Sequence, residues 1–506
     1  MRYLPTSICL LLLAIPCGTA GEPKADKIVL DFWDAAYLKG NKAGYVHTFT
    51  TEFEENGQKL LRTTVEMRLT VKRNDDVKQM SMDSGTVETP QGRVVRIFVK
   101  QYLAKDKSLE ISGTVIDNQL KLMLDQTKLL KTSAWNDRVI GLYRQQRICK
   151  DQKVKAGDEF SYLSYEPAIT AIVPIRLSVK DYEVVELFAG QEKKKLLRVE
   201  TKPDKIDNVQ LPTLISWLND KREVERSQVE APGLGLMVLY RATKAVATAP
   251  GNLDALTDIG LSQAVPLKQA ILKPYATTAA VYRITIRNED DPGSAFSNDD
   301  RQKVKNVRGT TLELHVRAGG PVGADTSNGK MPGAEFTQSS YFINSDDPLV
   351  RKHARSAVKE EKDPWKKALR VEKWVYDNMK GTNFEALATA DHVAKTLEGD
   401  CTEFAMLMAA MCRAEGVPSR TAVGLIYGEA KERPVFAFHM WTEVFVRGRW
   451  VPLDATLGQG RVGATHLKIS DQSWHETRTL TPLFPVLRVL GRISIDVVSV
   501  ENVLKP

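Results

Sequence analysis

The sequence predicts an α+β protein in which antiparallel β-rich segments precede a helix-then-strand unit. Three observations predict it. Apolar and polar residues alternate with period two, rich in β-branched side chains, through residues 22–245. From Ser345 the period becomes that of a helix. After Pro418 strand patterning returns. With 506 residues, 42% apolar and 26% charged, the chain is of ordinary soluble composition and too long for one compact core, so two to four domains are expected.

Residues 1–20 have the three parts of a secretory signal. Arg2 is the positive end, Ile8 to Ile15 the apolar run, and Gly18-Thr19-Ala20 the small residues at a cleavage position. The run is too short to span a bilayer, and no later stretch is long and apolar enough to do so. Cys17 would serve a lipid anchor, but Pro16 is a poor residue before a lipidated cysteine, so soluble export to the periplasm or the extracellular space is expected. Removal of the signal leaves Cys149, Cys401 and Cys412, too few for a disulfide framework. Cys401 and Cys412 lie 11 residues apart on one expected helix, roughly 16 Å in rise and beyond disulfide reach. The net charge of +8 is mild and spread out, and Lys193-Lys194-Lys195 beside Glu192 reads as a solvated strand end. No nucleic-acid partner is expected.

Residues 22–245 read as an antiparallel β-rich accessory domain, a meander with one solvated face. Tyr45–Thr50, Arg62–Val71, Val94–Val99, Leu177–Leu187, Lys195–Thr201 and Gly235–Tyr240 are its clearest strands. Asn56-Gly57, Asn74-Asp75 and Pro90-Gln91-Gly92 punctuate them. Phe32–Leu38 reads as a short helix before the meander. His47 is a surface or packed side chain rather than a base. Residues 246–279, rich in Ala, Pro and Leu, read as a linker with a short helix. Residues 280–340 form a second β segment, with strands at Val281–Ile286 and Thr311–Val316, and end in the flexible Gly319–Gly333 connection. The acidic stretches near Asn288 and Asn298 lack the spaced ligands of a calcium loop and read as solvated.

The unit at 341–480 opens with helices. Asp363 caps one and Pro364 suits its first position. Trp365, Leu369, Val371, Trp374, Val375 and Tyr376 then mark an expected buried face. Ala388–Leu397 is another helix. The next begins at Asp400, buries Phe404, Leu407, Met408 and Met411, and ends at Gly416 and Pro418. Cys401 thus falls in a first turn, where unpaired N–H groups and the positive dipole end favour thiolate. Strands follow at Arg420–Tyr427, Val435–Val446 and Arg449–Leu453, and residues 481–506 hold a C-terminal strand and tail. His439, Trp441 and Glu443 alternate onto one strand face.

Cys401 precedes His439 by 38 residues, and Asp454 follows 15 later. Sulfur, imidazole and carboxylate in that order are the parts of an activated thiol nucleophile. Metal binding at Cys401 and His439 lacks further ligands, so no metal and no cofactor is called for.

Four motifs carry a resemblance. They are Gly399-Asp-Cys401-Thr-Glu-Phe-Ala, Ala414-Glu-Gly-Val-Pro-Ser-Arg420, His439-Met-Trp-Thr-Glu-Val and Trp450-Val-Pro-Leu-Asp454-Ala-Thr. In order and spacing this set resembles the transglutaminase-like superfamily over about residues 341–470, which implies a papain-like core at the C-terminal end. The resemblance implies that Cys401 attacks an amide carbonyl to give a thioester. His439 would move the proton and Asp454 would orient the ring. The acyl group would pass to an amine or to water. The implied partner is a protein or peptide substrate, with cell-envelope components as further candidates. The Cys401 N–H is one candidate oxyanion donor. Related thiol enzymes use an upstream glutamine, which is missing here; Lys395 lies six residues before Cys401, and Trp374 is another candidate. The calcium requirement of animal members has no matching ligand pattern. Glu403, Trp441 and Glu443 read as supporting residues and Arg420 as an ion-pair partner. His466 and His475 stand as alternative bases. Two other readings stay open: a peptidase or deamidase of the same fold, and a cell-envelope scaffold whose thiol is idle.

Overall fold

Alternation along Gln58–Arg73 is that of a strand with two neighbours, and the strand has them: Asn41–Glu55 on one side and Asp76–Glu88 on the other. The computed structural model describes residues 27–502, apart from 74–75, 105–106, 125–127, 168, 189–191, 207–210, 232–233, 257, 259–263, 288, 290, 320–330, 383–387 and 476–480. The signal-like segment, the Asn74-Asp75 turn and most of the Gly319–Gly333 connection lie outside the described residues. At Asn56-Gly57 both residues have positive φ, as a two-residue hairpin turn requires.

Residues 27–242 build one antiparallel sheet of fourteen strands. The first eight, Lys27–Leu38 to Lys128–Ala134, follow one another in chain order, as do the last six, Glu159–Glu166 to Gly235–Ala242. The two runs join where the first strand pairs with the last, Trp33 opposite Ala242. The far edges belong to Lys128–Ala134 and Glu159–Glu166, and the sheet curls so far that these edges approach. Val139 bridges Leu163, and Trp135, Val139, Leu163, Tyr165 and Ile172 share one apolar cluster. The helix Leu142–Asp151 connects the two edges.

Phe32–Leu38 is strand, not helix. Its Ala35-Ala36 pair suits a helix locally, but hydrogen-bonded neighbours on both sides decide the outcome. Lys193 and Lys194 lie beside Glu186, Glu192 and Glu225 on a solvated strand.

A second body is one continuous apolar cluster running from Val265 to Ile495. Segments that read as linker, second β segment and tail all contribute to it. Val265–Pro266 adds a short strand beside Arg433–Val446. Thr277–Ile286 pairs with both Thr311–Arg317 and the C-terminal strand Ile493–Asn502. Against this packs a sheet in which Ser419–Ala430 is flanked by Arg433–Val446 and His466–Gln472, with Arg449–Leu453 beyond Arg433–Val446. Among the described residues, four longer helices, Pro348–Val358, Pro364–Asn378, Ala390–Thr396 and Cys401–Ala414, and the short helix Phe484–Leu487 complete it.

The buried face of Pro364–Asn378 is Trp365, Ala368, Val371, Glu372 and Val375. Leu369 and Trp374 are half-buried and Tyr376 is exposed, which corrects the expected face by about one residue per turn. The charge on Glu372 hid the true stripe. The acidic stretch at Asn298 is a packed turn. Asp299 accepts N–H bonds from Arg301 and Gln302 and pairs with Lys468. Tyr341 packs against both the large sheet and the second body.

Candidate active site

The helix Cys401–Ala414 begins where its capping residues dictate. The Asp400 side chain accepts the Thr402 N–H at 2.8 Å, and the Glu403 side chain returns to the Asp400 N–H at 2.9 Å, a complete capping box. A second Glu403 oxygen accepts the Ala388 N–H, so this buried carboxyl ties the helix start to the preceding loop. Gly399 is required there: a Cβ at this position would lie 2.3 Å from that of Glu403. All but the two ends of the helix are buried, and Cys401 is half-buried at its first position.

His439 and Asp454 come from neighbouring antiparallel strands in which Thr442 faces Leu453. The His439 Nε2 lies 2.8 Å from Asp454 Oδ2. Its ring also hydrogen-bonds the Cys401 thiol, and the Met440 N–H donates to the same sulfur. With Nε2 held by the carboxylate, Nδ1 is the ring nitrogen left for the sulfur. The structure therefore brings Cys401, His439 and Asp454 into one hydrogen-bonded row.

Asp454 has further partners. Its Oδ1 accepts from the Thr456 N–H at 2.9 Å and the Thr456 hydroxyl at 2.6 Å. Its Oδ2 also accepts from Nε2 of His466, at 3.0 Å. A carboxylate only accepts, so both imidazoles carry their proton on Nε2. His466 reaches this position through strand order: Ser419–Ala430 lies between the His439 and His466 strands. Gly424 of that middle strand faces His439, and a Cβ on it would meet the Leu467 carbonyl at 1.9 Å. Behind Asp454, the buried Glu372 accepts the N–H groups of Asp454 and Gly460.

Burial dominates the electrostatics. It would raise the Asp454 pKa, but His439 and His466 hold the carboxyl far below its usual range. Burial would lower His439; Asp454 and Cys401 more than offset that and hold it well above an ordinary histidine. His466 is pushed down to about 4, chiefly by burial. Glu372 is pushed up to about 8 by burial and by the Asp454 charge, and Glu403 to about 8 by burial and Asp400. The Cys401 thiol is also raised, by burial first and then by Asp400, with His439 pulling the other way. This corrects the expectation that position at a helix start alone favours thiolate. Burial is the largest cause of the shift, and His439 and the Met440 N–H are the groups that favour the thiolate.

The remaining candidates separate. Arg420 binds Glu443 at 2.7 Å and Asp471 at 2.7 Å, and the buried Lys468 pairs with Glu443, Asp471 and Asp299. These charges knit the strands of the site together. Trp441 is buried beside both histidine rings, 6.3 Å from His439 and 5.4 Å from His466. Trp374 packs on His353, and Lys395 lies exposed in the last turn of its helix. His475 sits past the His466 strand, where its N–H donates to Ser473. Cys149 and Cys412 are free thiols. Sequence reasoning weighed His466 only as a second base and missed Glu372 and Thr456. Thr456, two residues after Asp454, is the one with a local signal, a side chain and N–H that reach back to the carboxylate.

The donor atoms of His439, Asp454 and His466 lie within 4.8 Å of one another, close enough to suggest a metal centre. The set does not fit one. Separations of 2.8 and 3.0 Å are hydrogen-bond lengths. A metal-bound His466 would also need an acceptor for its second N–H, and its Nδ1 has no partner among the described residues.

Residues 351–455 match the family model of the transglutaminase-like superfamily, and this part of the chain belongs to that superfamily, whose members are usually cysteine enzymes. The core it defines follows antiparallel β-rich regions, as expected. Among solved structures, the chain is similar to a protein provisionally described as a cysteine protease from Cytophaga hutchinsonii, at 15% identity and TM-score 0.29, over 46% of this chain and 89% of that one. It is similar to the periplasmic domain of TgpA from Pseudomonas aeruginosa at 14% identity and TM-score 0.26, over 38% and 89%. It is also similar to a β-barrel-like protein of a domain of unknown function from Brucella abortus at 12% identity and TM-score 0.32, over 42% and 94%. No curated protein matches the chain.

Proposed function

We propose that this chain is an exported thiol enzyme that acts on protein or peptide amides through a thioester. The observation that carries the proposal is the hydrogen-bonded row of Cys401, His439 and Asp454. His439 takes the thiol proton through Nδ1 as the sulfur attacks the carbonyl carbon. The C–N bond then breaks, and the same ring protonates the departing amine. A thioester to Cys401 remains. An amine or water attacks it, His439 accepts the incoming proton, and the sulfur leaves as thiol. Asp454 keeps the ring proton on Nε2 and stabilises the imidazolium that forms between these steps. The first-turn N–H of Cys401, which a helix leaves without an internal acceptor, is a candidate donor to the developing oxyanion.

Export rests on the signal-like residues 1–20. That Cys401 is a free, half-buried thiol supports a chemical role for the sulfur. The test incubates the enzyme with a protein extract and a labelled primary amine, followed by mass spectrometry. Amine-tagged glutamines mark transamidation; new amino termini or deamidated glutamines mark hydrolysis. Both signals, and rapid iodoacetamide labelling of residue 401, are expected to vanish in Cys401→Ala. Turnover that survives this substitution would refute the proposal.

A further inference from the structure

We propose that His466 is a positioning residue for the thiol site: its Nε2–H donates to the same Asp454 oxygen that accepts from His439, and so fixes the plane of that carboxylate. The inference rests on the reading of Cys401, His439 and Asp454 given above.

The geometry is specific. The His466 side chain is fully buried, and its ring meets Trp441 edge-on at 5.4 Å and His439 at 5.8 Å. Its backbone is held by pairing with Ile426 and by the Arg301 guanidinium, which donates to the His466 carbonyl at 2.7 Å. A ring so enclosed has one polar contact among the described residues, the 3.0 Å bond to Asp454 Oδ2, while Nδ1 has none. A buried, unmatched ring nitrogen costs stability and is retained where the opposite nitrogen has a task. Thr456 holds Oδ1 from one side. His466 holds Oδ2 from another, so the carboxylate cannot rotate away from His439. Since His466 touches neither the sulfur nor the expected position of a substrate, it acts through Asp454.

Burial also lowers the proton affinity of His466, which keeps it a neutral donor beside the protonated form of His439. Two cationic rings on one carboxylate oxygen would compete for its charge; one neutral and one cationic ring divide the tasks of orienting and of receiving charge.

Three measurements on the full-length protein test this. The first is ¹⁵N NMR of histidine-labelled wild type at neutral pH. His466 is expected as the neutral tautomer protonated on Nε2; the Nδ1 tautomer or an imidazolium would overturn the proposal. The second compares His466→Phe and His466→Gln. Phenylalanine keeps ring volume and loses the donor, and glutamine keeps an amide N–H at similar reach and loses the ring. The rate of iodoacetamide alkylation at Cys401 is expected to fall about tenfold or more in the first, and most of that loss to be recovered in the second. A residue that only filled space would give the reverse order, and that order would overturn the proposal. The third is the wild-type alkylation rate at Cys401 against that of a free thiol in a peptide. If wild type is not enhanced, the reading of the thiol site fails and this inference with it. If wild type is enhanced and both variants match it, only the role of His466 fails.

Discussion

Asp454→Asn is the sharpest perturbation of this site, because the four donors around the carboxylate leave an amide no good orientation. Oδ1 faces the N–H and hydroxyl of Thr456, and Oδ2 faces Nε2–H of both His439 and His466. The Thr456 N–H cannot cease to donate, so the amide oxygen must take the Oδ1 position. Its NH2 then points at two imidazole N–H groups. Relief comes only if both rings move their proton to Nδ1. For His439 that places a proton against the sulfur and removes the base. For His466 it puts a proton on a nitrogen with no acceptor among the described residues. The loss is at least the charge-assisted bond to His439 together with the tautomer it fixes. At ~1.5–3 kcal/mol for each bond to a charged group, two such bonds amount to ~3–6 kcal/mol, or roughly 10²–10⁴ in rate. The assay is iodoacetamide alkylation of residue 401 at neutral pH, with near-ultraviolet circular dichroism to check the fold. A folded Asp454→Asn protein that alkylates within threefold of wild type would refute the argument.

Other consequences follow from the same contacts. Lys468→Met leaves the buried Glu443 and the half-buried Asp299 with fewer partners and is expected to cost about 3–5 kcal/mol in urea unfolding, without lowering the alkylation rate of the remaining folded protein. Cys412 is fully buried and its thiol is pushed far up by burial, so brief labelling of native protein should modify Cys401 and spare Cys412 until denaturant is added. Glu372 titrates near 8 in the folded chain against 4.5 when unfolded, so its folded pKa is raised. The folded state binds the extra proton across that window; the stability this confers is full below it and is lost as pH rises through about 8. Glu372→Gln should therefore melt at nearly the wild-type temperature at about pH 4, and increasingly above it as the pH rises through about 8, by thermal scans on both sides of that window.

The sequence showed what has a local signature. Asp400, the apolar stripe of Phe404, Leu407, Met408 and Met411, and a terminating Gly416 mark the Cys401 helix, and strand alternation marks the face of His439. The row of three was legible because each member sits at the end or in the middle of such an element. His466 was not, since nothing near it in sequence says that its strand lies beyond Ser419–Ala430; strand order is a property of the whole sheet. Glu372 was hidden by its charge, which reads as solvent-facing until Asp454 and Gly460 are seen to need an acceptor. Val265–Pro266 is too short to show any period, so its segment read as a linker, although it extends the sheet of the site. Phe32–Leu38 failed for a related reason: two adjacent alanines carry helical preference, and the neighbours that override it come from residues 41–55 and 235–242.

The groups around the thiol are arranged so that one buried anion acts on His439. Near neutral pH, burial keeps Glu372 and Glu403 protonated and His466 neutral, while Asp454 stays ionised. The sulfur itself is disfavoured as an anion by burial and by Asp400. If the helix start were the source of reactivity, neutralising its cap should weaken the thiol. If His439 is the source, removing the Asp400 charge should help, because that charge opposes the thiolate. Asp400→Asn separates the two, since an asparagine oxygen still accepts from the Thr402 N–H and keeps the cap. Alkylation of Cys401 is expected to quicken by about two- to fivefold, the scale of one partly exposed charge–charge interaction. A slower reaction in a variant of unchanged helix content would mean that the cap and its dipole, rather than the imidazole, activate the sulfur.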